Sequence, residues 1–219
     1  MKKSFAIIGL GRLGASILKN LSELTSNILA IDSQESRIAL ASKWTEKCFV
    51  ADATNKRVLK DLGIGNIDHV FITIGGNLSA TILTLINCKE LKVKKITVRV
   101  DEEDKIDIMK RLGANEVIDP ESAIGEMFAK QALSDTVLDY YPIDDDFAIV
   151  QVLVPHTFKQ ISLLDLDSRN KYGVNIVGIL RSGKFFIPKG NDMVEGNDVL
   201  MVVGTQKVLR KFDQIINKK

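Results

Sequence analysis

Three glycines, Gly9, Gly11 and Gly14, stand between a short apolar run from Phe5 to Ile8 and a helical pattern carried by Ile17, Leu18, Leu21 and Leu24. A strand, a G-x-G-x-x-G turn and a helix, in that order, present free backbone N–H groups to a phosphate. The first glycine permits a tight turn, and the second lets a phosphate approach where a Cβ would block it. The third lets the helix pack close to the strand. A second apolar run, Ile28 to Ile31, ends in Asp32, 18 residues beyond Gly14. A carboxylate in that place can accept hydrogen bonds from ribose hydroxyls. A glycine-rich turn that merely packs is the bland alternative, and the flanking strand, helix and acid make it the weaker one. The chemistry implied is binding of an adenine nucleotide or dinucleotide.

The elements that must position these groups follow from periodicity. Strands are expected at 48–52, 69–76, 94–101 and 116–121, and helices at 33–44, 55–62, 77–91 and 103–112, with Ser33 or Ser36 available to cap the helix at 33–44. Six strands alternating with helices predict an α/β fold, a Rossmann-like doubly wound parallel sheet, whose ligands lie beyond the carboxyl ends of the strands. The residues found there are Gly9, Gly11, Arg12, Leu13 and Gly14; Asp32, Ser33 and Gln34; Asp52, Ala53 and Thr54; Ile74, Gly75 and Gly76; Arg99, Asp101 and Lys105; and Glu121. Asp52 to Thr54 suits an adenine edge, and Gly75 and Gly76 leave room for ribose or base. Arg12 can reach a phosphate of its own ligand or of one in a neighbouring subunit; the alternative is a solvated arginine at a helix start. Asp52 could equally cap the helix that follows, and Arg99 could be a snorkelling strand residue.

From Ser122 to Tyr141 the pattern reads as one further helix, with apolar positions Ile124, Phe128, Ala129, Ala132 and Leu133. The periodicity then turns to strands at 147–154, 173–180, 184–188 and 198–204, with helices at 161–171 and 207–216, an α+β arrangement. Pro142 and the acids after it mark a break near 140–146. The expected division is 1–120 for the nucleotide domain, 121–140 for a crossover helix and linker, and 141–219 for a small second domain.

Composition narrows the function classes. Of the 219 residues, 45% are hydrophobic and 26% charged, with a net charge of +2. Residues 1–120 carry 18 Lys and Arg against 15 Asp and Glu, a net of +3, and the remainder carries 12 against 13, a net of −1. No basic footprint for nucleic acid results, which sets aside a DNA-binding repressor. No apolar run approaches a membrane span, and MKKSFAIIGLG runs straight into the glycine turn, so it reads as a strand rather than a leader, and the chain as cytoplasmic. Cys48 and Cys88 lack metal spacing and read as reduced packing residues. His69 and His156 are the only histidines, and both read as structural or solvated. No nucleophile–base pair stands out, which favours a sensor over an enzyme, with an NAD(P)-dependent oxidoreductase as the competing class.

The series GLGRLG, LAID, VADAT, ITIGGN, VRVD and IDPES, followed by a crossover helix and a small C-terminal domain, resembles the RCK (KTN/TrkA) regulators of potassium transport over essentially the whole chain. Within that family it is most similar to the KtrA/KtrC-type regulatory subunits of Ktr potassium-uptake systems. The resemblance implies an N-terminal RCK domain and a TrkA-C domain. It also implies homodimers assembled into an octameric ring beneath a membrane potassium-translocating subunit of the KtrB/KtrD/TrkH kind, with ATP and ADP favouring different ring states. NAD or NADH is the alternative ligand, as in TrkA-type regulators. By the same resemblance Asp32 would hold the ribose, Arg12 would reach the terminal phosphate partly across the dimer, and Glu121 would face Mg²⁺ or another divalent cation. Arg99 stands where the family often has lysine. The helix at 122–136 would serve dimer contact. Cyclic di-AMP is a possible second ligand, with Leu163, Leu164, Asp167, Arg169, Asn175 and Pro188 as candidates; an exposed arginine beside core leucines is an equal reading of that segment.

Overall fold

The computed structural model describes residues 3–132 and 136–216. They form two compact units that divide between Ser122 and Ala123. In the first, the chain runs β1 (Phe5–Ile8), α1 (Arg12–Ser22), β2 (Ile28–Asp32), α2 (Glu35–Ala41), β3 (Cys48–Val50), α3 (Lys56–Asp61), a 3₁₀ turn at Ile64–Asn66, β4 (His69–Ile72), α4 (Leu78–Glu90), β5 (Lys95–Arg99), α5 (Lys105–Arg111) and β6 (Glu116–Ile118). The strands pair in parallel in the order β3-β2-β1-β4-β5-β6. The order reverses direction between β1 and β4, and ligands of open parallel sheets sit outside the carboxyl ends of strands at that crevice.

Successive residues of a strand face opposite sides, so a strand covered by helices on both faces must be apolar throughout. β1 shows this. Ala6 and Ile8 join one core with Ile31, Leu59, Ile72, Leu85 and Ile96, while Ile7 joins another with Leu18, Ile28 and Ala30 on the opposite face. Burying a side chain of this size contributes about 1.5–3 kcal/mol. Capping is local: the Asn55 side chain accepts from the N–H groups of Arg57 and Val58 at the start of α3, and Asn77 accepts from Ala80 at the start of α4.

A further helix, α6 (Pro120–Gln131), begins at the end of the first unit. The second unit then runs β7 (Val137–Pro142), β8 (Phe147–Leu153), β9 (Ile161–Ser162), α7 (Leu163–Leu166), α8 (Ser168–Tyr172), β10 (Asn175–Arg181), β11 (Lys184–Phe186), β12 (Met193–Val194), β13 (Val199–Thr205) and α9 (Gln206–Ile216). An antiparallel sheet, β11-β10-β13-β8-β7, is accompanied by a short β12–β9 ladder. Leu209, Phe212 and Ile216 of α9 are buried in one core with Val150, Val152 and Val202.

Four details differ from the sequence reading. The helix expected to run to Tyr141 ends at Gln131, because Val137 to Pro142 pairs antiparallel with β8 and buries Tyr140. Leu133, counted among its apolar positions, lies outside the described residues. The chain break therefore narrows to 143–146, where Asp144 accepts from the N–H groups of Asp146 and Phe147. The helix expected at 161–171 is instead one short strand, β9, and two short helices that meet at Asp167, whose φ of 47° is left-handed. Neither Ser33 nor Ser36 caps α2. Gln34 holds the cap position, and its N–H is taken by the Asp32 carboxylate instead.

His69 is the buried histidine of the first unit. Its ring lies 4.1 Å from that of Phe71, and Nε2 lies 2.8 Å from the Thr97 hydroxyl. That hydroxyl itself donates to Glu116, so the network assigns the proton to Nε2 of a neutral ring. Burial, reinforced by Lys95, pushes its pKa down to about 4. Unfolded His69 would bind a proton below about pH 6.5 while the folded ring would not, so stability is lost as pH falls from about 6.5 toward 4. Urea unfolding of wild type and His69→Gln at pH 7.5 and 4.5 should show the wild-type advantage shrinking by on the order of 2 kcal/mol at the lower pH. An advantage that does not change with pH would show that the ring does not titrate there.

Candidate functional site

Gly9 turns the chain out of β1 with φ +95°, and a Cβ there would lie 2.8 Å from the Ile74 nitrogen. Gly14 is tighter still: a Cβ would sit 2.0 Å from the Gly9 carbonyl oxygen and 2.6 Å from the Thr73 hydroxyl. The same hydroxyl donates to the Gly9 carbonyl at 2.6 Å, tying the turn to the end of β4. Gly11 is different. Its φ is −65°, which any residue adopts, and a Cβ there would meet nothing within 4 Å. Gly11 caps α1 without any side-chain hydrogen bond, and the first turn of α1 carries no acid. The first N–H groups of that helix thus face open space, which is the arrangement that accepts a phosphate. Arg12 projects from this turn, exposed, with no hydrogen bond or ion pair among the described residues; Leu13 beside it is half-buried.

Asp32 lies at the other end of the turn and is 5% exposed. Oδ2 accepts from the Leu10 N–H at 2.6 Å and from Arg37 at 3.2 Å, and Oδ1 accepts from the Gln34 N–H at 2.8 Å. Three donors occupy a group that can accept about four, so one position remains for a ribose hydroxyl. Asp32 therefore has a double task, fixing the glycine turn against β2 as well as presenting an acceptor.

Gly9 and Asp32 line one cleft of about 470 Å³ with Ser33, Asp52, Ala53, Thr54, Ile74 and Gly75, whereas Gly11, Arg12, Leu13, Gly14 and Gln34 do not line it. That size lies within the range of ligand pockets, roughly 300–1,000 Å³. Asp52 does not cap α3. Its Oδ1 accepts from both the N–H and the hydroxyl of Thr54, which holds its pKa below the usual carboxylate range and fixes the turn. The Asn87 side chain, from α4, donates to the Thr54 carbonyl at 2.8 Å and braces the same turn. The sequence reading passed over Arg37 and Asn77, which also line the cleft. Arg37 had one signal, its place on the first turn after Asp32; Asn77 stood only as the start of the helix expected at 77–91.

The remaining candidates gather beside a smaller cavity of about 170 Å³, lined by Gly76, Arg99, Asp101 and Lys105. Arg99 Nη2 contacts Asp101 Oδ1 and Glu121 Oε1, both at 2.8 Å. Lys105 pairs with Glu102, which raises its pKa. Glu121 meets Arg99 rather than other acids, and among the described residues no group of three His, Cys, Asp or Glu side chains could hold a metal. In the second unit, Leu163 packs against the core, Leu164 is exposed, Pro188 is half-buried, and Arg169 donates to Asn175 at 3.0 Å, near the left-handed Asp167. Cys48 and Cys88 are free thiols, and burial pushes that of Cys88 up to about 12.

Comparison with known proteins decides the family. The TrkA-N domain model matches residues 5–120 and the TrkA-C domain model matches residues 148–217. The chain belongs to the TrkA-N/TrkA-C family. It is 36% identical to Ktr system potassium uptake protein C of Bacillus subtilis, over 98% of this chain and 97% of that one. It is 32% identical to Ktr system potassium uptake protein A of the same organism, over 96% of both. Among solved structures, that of the GsuK channel bound to NAD superposes with a TM-score of 0.71 at 15% identity, covering all of this chain and 40% of the channel chain, which shows a shared fold.

The glycines yield a paired prediction. Gly14→Ala forces a Cβ into the Gly9 carbonyl and should cost about 1–3 kcal/mol or more, a fall of roughly 4 °C or more in Tm. Gly11→Ala should leave Tm within about 2 °C yet weaken nucleotide binding at least tenfold, since its methyl fills the space a phosphate needs. Thermal melts and calorimetric titration separate the two; unchanged nucleotide affinity in Gly11→Ala would exclude the turn as the phosphate site.

Proposed function

We propose that this chain is the nucleotide-sensing regulatory subunit of a potassium-uptake system, in which ATP and ADP set the conformation of a ring that controls a membrane potassium-translocating subunit. The observation that carries this reading is the likeness to Ktr system potassium uptake proteins along almost the entire length of both chains. The site supports it: a helix start without a side-chain cap, a buried acid with one open acceptor position in the cleft wall, and a cationic side chain, Arg12, with no partner among the described residues. No helix among the described residues is long and apolar enough to cross a membrane, so action on membrane transport calls for a separate spanning partner. The proposed assembly is a homodimer-based octameric ring at the inner face of the membrane.

In this reading α1 and Gly11 hold the phosphates, Asp32 holds the ribose, and Asp52 to Thr54 meets the base. A bound ATP supplies a terminal phosphate and, with it, additional negative charge near Arg12. Glu121 is the proposed contact for an accompanying divalent cation. A nucleotide shifts the ring only by its difference in affinity for the two ring states. The segment Leu163 to Asn175 with Pro188 is the proposed seat of cyclic di-AMP as a second effector.

Calorimetric titration of ATP, ADP and NADH, with and without Mg²⁺, tests the assignment. Both adenosine nucleotides should bind, and Arg12→Ala should weaken ATP roughly tenfold more than ADP, the worth of one charge-assisted contact. Binding of NADH alone would replace the ATP switch with a dinucleotide sensor or an oxidoreductase.

A further inference from the structure

Arg99 is placed between the cleft and the start of α6. In the β5–β6 register Arg99 lies opposite Ile118, and the chain then turns through Asp119 so that Glu121, in the first turn of α6, meets the guanidinium. Nη2 carries both acidic contacts. Nη1 lies against the backbone of Gly75, close enough that a Cβ there would be 2.7 Å away. Nε is buried and has no hydrogen-bond partner among the described residues. A guanidinium with one nitrogen doubly engaged and another orphaned is unsatisfied, because a buried donor without an acceptor costs about 1–3 kcal/mol. Nη1, rather than the orphaned Nε, is the nitrogen beside Gly75, which is itself a wall of the 470 Å³ cleft.

We infer that Arg99 is a clasp on α6 that an anionic ligand opens: phosphate oxygens entering beside Gly75 draw the guanidinium and release Glu121. This rests on the cleft being a nucleotide site. The charge balance favours release. One guanidinium already serves two carboxylates, so a polyphosphate adds like charge to a cluster whose net charge is −1. The two acids are held unequally. Asp101 also accepts from the Gly76 N–H at 3.2 Å, whereas the Glu121 side chain is 68% exposed and has Arg99 as its only partner among the described residues. Glu121 is the one that leaves, at little desolvation cost. Its departure frees the first turn of α6, the helix that continues from the first unit into the second. Arg99 thus acts as a positioning residue, converting ligand charge into the order of a helix start.

Amide hydrogen exchange over Pro120–Gln131, read beside ADP titration in EDTA, tests this on the full chain. Without ligand the amides of α6 from Ile124 onward, whose acceptors are the carbonyls of its first turn, should be protected in wild type and exchange several-fold faster in Glu121→Gln. ADP should accelerate exchange there in wild type and have no further effect in Glu121→Gln, which should bind ADP about two- to fivefold tighter for want of a competitor. Arg99→Lys keeps the charge and guards against misfolding; lacking the planar fork, it should show the unclasped exchange rate while still binding ADP. If ADP binds and exchange in α6 does not change, or if Glu121→Gln exchanges like wild type, the clasp is wrong while the nucleotide site stands. If ADP does not bind, the reading of the cleft falls first and the ligand-driven release falls with it.

Discussion

The contact between α1 and the turn that precedes it governs the first unit. Gly14 sits so close to the Gly9 carbonyl that no side chain fits between them, and the Thr73 hydroxyl closes the triangle from β4. That approach brings the start of α1 over the seam between β1 and β4, where the strand order reverses. The phosphate position, the Asp32–Leu10 bond and the depth of the cleft all depend on it. Loosening it by one methyl group would displace backbone on both sides, since interiors are packed too densely to absorb the volume.

Around that fixed frame the polar groups are arranged as tethers. Asp32 is buried and fully engaged by protein except for one acceptor position, and Arg37 balances its charge from the rim. Buried carboxylates are tolerated only when hydrogen-bonded and paired, and Asp32 is both. Arg99 is the counterpart across the sheet, a cation serving two acids. The two neighbourhoods share the Ile74–Asn77 loop, whose glycines give the backbone access to both sides.

How much of this was legible in the sequence depends on the range of the interaction. β1, the glycine turn, α1 and β2 were legible because strand alternation, three glycines and a terminal acid all act within thirty residues. The parallel, doubly wound character of the sheet followed from alternating strands and helices; its strand order was not read. The role of Asp52 was not, because an acid before a helix can cap it or close a turn, and Asn55 supplied the cap instead. β7 was read as helix because Val137 to Tyr141 continues an apolar spacing; pairing with β8 overrides local preference. The Arg99–Glu121 contact was beyond reach, since it depends on the register of β5 against β6.

α1 begins on Gly11 with neither a side-chain cap nor an acid in its first turn, an unfinished end beside α3 and α4, which Asn55 and Asn77 cap. Anything that binds the native chain and not the unfolded one adds to its stability in proportion to the logarithm of its concentration. An anion that completes this helix therefore also lengthens the chain's survival against proteases, which attack opened forms. Abundance of the protein would then track the supply of that anion, so that the same unfilled N–H groups that form a binding site also set the protein's turnover.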